Sequence, residues 1–236
     1  MAIAFDAAVA QQDNSTSTQT ISHTCTGSNL LLLVGFITNN TTDIITGVTY
    51  ASVAMTRQQE QASNDNGFRN YVYSLLGPAT GTNDVVVSAS SASLLWTSVI
   101  SYSGVSQTGF PDAKVSGTGE DTNWSRSHTT VADNSWVYAH LRGGAAITFS
   151  SPDTERADAG QGSAGDSNAA VTPAGAYTIN GTIGDATNNI IISLSFAPAT
   201  AAGPANLKSY NTNLKANIKS IDTNLIANIK SIDTNV

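Results

Sequence analysis

The chain reads as an all-β protein: a two-sheet antiparallel jelly-roll sandwich followed by a C-terminal repeat arm. Three observations predict this. Short runs rich in Val, Ile, Thr, Tyr and Phe recur every 10 to 15 residues between clusters of Gly, Asn, Asp and Ser. No stretch of ten or more residues before position 197 keeps the helical period with helix-forming side chains. Within those runs apolar and polar residues alternate or the run is continuously apolar, the two patterns of half-covered and fully covered strands.

Taken in order, the expected strands are 19–25, 29–38, 44–50, 53–59, 68–76, 84–90, 94–102, 128–131, 135–141, 145–150, 176–182 and 189–196. Where one sheet face is wet, apolar and polar residues alternate, as in Tyr71, Tyr73 and Leu75. Where both faces are covered the run is continuously apolar, as at 30–34 and 190–192. A dozen short strands without helices must close against each other as two packed sheets. The sandwich spans 1–196, a Pro/Ala/Gly linker 197–205, and the arm 206–236.

Composition excludes several classes. Hydrophobic residues, at 40%, can build a core, which argues against wholesale disorder. One cysteine permits no internal disulfide and no cysteine-based zinc site. The longest apolar run, 30–37, is far short of the ~20 residues of a membrane helix, and 1–6 carries neither a basic nor an apolar signal region, so no membrane partner is expected. A net charge of −7 argues against nucleic acid. That charge is unevenly divided, with −9 before the arm and +2 within it.

The arm repeats with an 11-residue period: 214–224 reads LKANIKSIDTN and 225–235 reads LIANIKSIDTN. Leu214, Ile218, Ile221, Leu225, Ile229 and Ile232 recur at spacings of four and three, which on a helix makes one apolar stripe. The Asn, Ser, Asp and Thr of each copy favour turns, so an extended form competes. In either form 31 residues with a single aromatic, Tyr210, are too few to bury these side chains unaided, and the arm is expected to mediate assembly.

Residues 22–35 (SHTCTGSNLLLLVG), 45–50 (ITGVTY) and 98–107 (SVISYSGVSQ) resemble a β-sandwich module found in phage and environmental-metagenome proteins, itself similar to concanavalin-like jelly rolls. The resemblance spans roughly residues 3–197. Its motifs are strand cores and a Gly turn, so it implies a fold and, through the proteins that carry it, a virion structural role.

Candidate chemistry is sparse, and no enzyme is expected. His23 and Cys25 would share a strand face as a nucleophile pair, but no third orienting group is visible. His128 and His140 flank Trp136 without metal-ligand spacing. Glu120–Asp121 and Asp153–Glu155 are the only places before the arm where a Glu stands within two residues of an Asp, the composition glycosidases use, yet they lie in turn-rich segments. Asn64, Asp65 and Asn66 cluster hard oxygen ligands as weak calcium candidates, and no other cofactor is implied. Trp96 and Trp136 read as core. Trp124, in the polar stretch 121–126, is the expected ligand contact, as in sandwiches that stack sugars on aromatics.

The expected function is a non-enzymatic virion protein, a phage capsid decoration or surface protein assembled in the host cytoplasm. Its partners would be copies of itself and other virion proteins such as the capsid shell. The alternatives are a carbohydrate-binding adhesin module recognising surface glycans, or a self-assembling extracellular filament subunit.

Overall fold

A computed structural model describes residues 1–65, 67–186 and 188–200. Among them there are fifteen strands and no helix. In chain order these are β1 (Ala4–Cys25), β2 (Leu31–Thr38), β3 (Ile45–Tyr50), β4 (Val53–Ala54), β5 (Thr56–Ala62), β6 (Arg69–Leu76), β7 (Gly81–Ser103), β8 (Ala113–Gly119), β9 (Asn123–Thr129), β10 (Trp136–Arg142), β11 (Ile147–Phe149), β12 (Thr154–Asp158), β13 (Gly162–Asp166), β14 (Ala176–Ile183) and β15 (Asn189–Phe196). Every ladder between them is antiparallel. The all-β sandwich expected from the sequence is thus what the structure shows. The linker from position 201 and the whole arm, with Leu214, Ile218, Ile221, Leu225, Ile229 and Ile232, lie outside the described residues.

Hydrogen bonding divides the strands into three sheets: β4-β3-β7-β2-β6-β5 with β1 on β7, then β12-β13-β10-β15-β8, then β11-β14-β9. The first sheet folds over on itself. Its corner is in the β1/β7 ribbon, where pairing steps from Thr16↔Ser93 to Thr18↔Ser88 and residues 89–92 are skipped on the β1 side. On the N-terminal side of that break β7 pairs with β3, and on the C-terminal side with β2, so one strand serves two layers.

Period-two alternation then builds three cores between four layers. Leu32, Val34, Phe36, Tyr71 and Val99 meet Ile21, Val48, Val85 and Val87 across the fold of the first sheet. On the opposite face, Leu31, Leu33, Val72, Ile100 and Tyr102 meet Tyr138, Ile192, Leu194 and Phe196 of the second sheet. The other face of that sheet, with Val137, Ala139, Leu141 and Ile191, packs on Trp124, Ile147, Ile179 and Ile183 of the third. Strands β2, β10, β13 and β15 are buried at every residue because they lie in the two middle layers.

Candidate functional site

His23 and Cys25 do share the inner face of β1, both buried. A third group is present, but in the wrong order for nucleophile activation. Ser101 Oγ donates to Asp6 Oδ2 at 2.7 Å and lies 3.0 Å from His23 Nε2, so the serine stands between the imidazole and the carboxylate. Burial lowers the His23 pKa against the opposing pull of Asp6 and raises that of the Cys25 thiol. The two groups are therefore held neutral rather than as a thiolate–imidazolium pair. Asp6 also accepts from the backbone N–H and hydroxyl of Thr26, so the cluster pins the start of β1 to the residue that follows its end. Burial works to raise the Asp6 pKa, but these hydrogen bonds outweigh it and hold the carboxyl below its usual range.

The remaining sequence candidates are dispersed. His140 is enclosed between the first and second sheets, where burial pushes its pKa down to about 3. His128 is buried in β9 with both ring nitrogens unpaired. Asp153 accepts from the Tyr177 hydroxyl at 2.5 Å and from Asn180 N at 3.0 Å, on β14. Glu155 instead accepts from Ser163 Oγ on β13. Burial raises both pKa values, yet each carboxyl is committed to a different sheet rather than to a shared substrate position. Glu120 accepts a 3.5 Å bond from Asn64.

Asp65 closes its own turn, accepting from Ser63 Oγ and Gly67 N, and reaches Asn188 Nδ2 at 2.8 Å. Asn64 Oδ1 accepts from Thr118. Asn66, the third calcium candidate, lies outside the described residues. Among the described residues no three His, Cys, Asp or Glu side chains gather in metal-binding geometry.

Trp124 is placed differently from the polar loop expected for it. It is a β9 residue, 3% exposed, packed edge-on against Phe149 with ring centroids 5.0 Å apart, and its Nε1 donates to Thr148 O. One part of it nevertheless lines a cleft of about 130 Å³ at the end of the seam between the second and third sheets. Thr118 of β8, Asp121, Arg126, Asn189 and Ile191 complete the main walls.

Arg126 is the cleft residue that sequence reasoning passed over. Its guanidinium lies over Gly117 of β8, where a Cβ would come 2.8 to 2.9 Å from its terminal atoms. Neither an ion pair nor a hydrogen bond reaches it among the described residues, and its Nε is buried and unpaired. Burial alone lowers its pKa, with no carboxylate opposing. Across the cleft, Asn189 donates Nδ2 to Asp121 O at 2.7 Å and keeps a buried, unpaired Oδ1. The signal was present in 123–129 (NWSRSHT), where Trp124, Arg126 and His128 alternate with small polar residues: a strand with its large side chains inward.

No protein-family model matches this chain, and no curated protein is similar to it.

Proposed function

We propose that this chain is a non-enzymatic structural protein of a virion surface, of the phage decoration type, whose β-layered body is displayed outward and whose residues 206–236 mediate assembly. The observation that carries the reading is the arm's repeat. Six Leu and Ile residues in regular spacing need a surface to cover them, and a Pro/Ala/Gly linker offers the reach to find one on another molecule. A body rich in uncharged Ser and Thr with a net charge of −9 supports outward display, because such a surface is well hydrated and its acidic balance keeps copies from associating nonspecifically.

Deleting 206–236 tests it. The body should fold with an unchanged far-ultraviolet spectrum and sediment as a monomer, while the full chain assembles. A truncated protein that oligomerises or decorates particles like the full chain would sink the proposal.

A second reading, a glycan-binding surface module, draws on one observation: Trp124 and Arg126 wall a single open cleft.

A further inference from the structure

We infer that the cleft between β8 and β9 binds a hydroxycarboxylate, the uronate end of an acidic saccharide, with Arg126 as its anchor. The inference deepens the glycan-binding reading by naming the ligand class, and it does not depend on the arm.

A guanidinium taken partly out of water is stable in a fold when a carboxylate or a set of carbonyls receives its five donors. The other arginines show the rule: Arg57 meets Asp43, Arg69 meets Glu60, Arg156 meets Asp166, and Arg142 donates to Asn188 O. Arg126 has no such partner among the described residues, although it is half-buried and its Nε is wholly enclosed. Its Nη atoms open onto the cleft. The planar fork therefore lies against Gly117 with its Nε shut away unpaired and its Nη edge facing the cleft, an arrangement that a bidentate oxyanion ligand would complete.

Two further features select the oxyanion. Asn189 Oδ1 is a buried acceptor without a donor, which a sulfate oxygen would repel and a ligand hydroxyl would satisfy. Trp124 and Ile191, both almost wholly buried, close the inner end of the cleft, so the ligand groups that enter are held by its polar walls. The one carboxylate among the lining residues, Asp121, is exposed at the rim and forms no ion pair with Arg126. At about 130 Å³, the space of about four waters, the cleft admits the carboxylate and its neighbouring hydroxyl while the rest of the ligand stays in solvent.

The test is an NMR titration of the full-length protein with D-glucuronate, D-glucose and inorganic sulfate, repeated on Arg126→Gln and Gly117→Ala. Glucuronate should move the amide signals of Thr118, Gly119, Ser125 and Arg126, and bind at least about 10-fold more tightly than glucose, a factor one charge-assisted hydrogen bond supplies. Arg126→Gln should lose that margin while its thermal midpoint stays level or rises, since an unpaired half-buried charge is removed. Gly117→Ala, which pushes the guanidinium aside without touching Trp124, should weaken glucuronate binding in the same way. Equal binding of sulfate and glucuronate, or undiminished glucuronate binding by Arg126→Gln, overturns the inference. Glucose binding at the same amides and with the same affinity as glucuronate overturns it too, yet leaves the glycan-binding reading standing. Silence from all three ligands removes both.

Discussion

Between the two middle layers, four residues, Gly35, Asn70, Tyr138 and His140, are fitted to one another. Asn70 donates Nδ2 to His140 O at 2.9 Å, which leaves its Oδ1 as the acceptor for His140 Nδ1 at 2.6 Å and sets the imidazole as the neutral Nδ1–H tautomer. Opposite, Gly35 of β2 faces the ring: a Cβ there would overlap His140 and come 2.8 Å from the Tyr138 hydroxyl oxygen. All three side chains are fully buried and none can swing away, so Gly35→Ala should destabilise the protein by about 2 kcal/mol or more. Urea unfolding checks this, and a loss below half that value would mean the sheets separate easily. Nothing in GFI at 35–37 announces the fit, because the partner ring is a hundred residues away. The burial of His140 was legible only as a histidine within an apolar run.

Elements rich in β-branched and aromatic residues, such as β2, β6, β10 and β15, lie close to their expected bounds. The N-terminal half of β1, β8, β12 and β13 were not legible. Their Ala, Gln, Ser and Gly content carries little strand preference, and tertiary pairing makes them strands. Glycine in these elements marks close approach: a Cβ on Gly162 would touch Ile37 and Trp96, and one on Gly165 would meet Phe149. The expected strand at 53–59 splits at Met55 because Val53 turns back on Tyr50 in a two-residue hairpin. Its loop residues, Ala51 and Ser52, have φ of 49° and 65°, the left-handed values of a type I′ turn that Asn-Gly adopts with least strain. Replacing them with Asn and Gly should therefore raise stability by about 1 kcal/mol, read as a higher urea midpoint at unchanged slope. No gain would show that the hairpin strain is already relieved elsewhere.

For the molecule as a whole, acid is the expected weakness. His140 is held near a pKa of about 3, and burial lowers His23 and His128 as well. Above the unfolded pKa of 6.5 these groups are neutral in both states and contribute nothing to the pH dependence. Below it the unfolded chain takes up protons that the folded chain refuses, so stability falls, at up to about 1.4 kcal/mol per pH unit for each such histidine. The raised carboxyls of Asp153 and Glu155 oppose the trend only nearer their own range. Thermal midpoints measured from pH 7 down to pH 4.5 should drop steadily, and a flat or rising profile would refute this account. Fold class was legible at this scale because alternation and turn chemistry are local. The third sheet and the doubling of the first were not, since layering depends on which faces meet. The β1/β7 ribbon carries a last consequence, for the order of events in synthesis. Ala4 pairs with Ser103, so the start of β1 waits through some hundred residues of synthesis before its partner exists. The Ala, Gln, Asp and Asn side chains of its N-terminal half, poor at holding a strand alone, keep that waiting segment from pairing with the wrong neighbour.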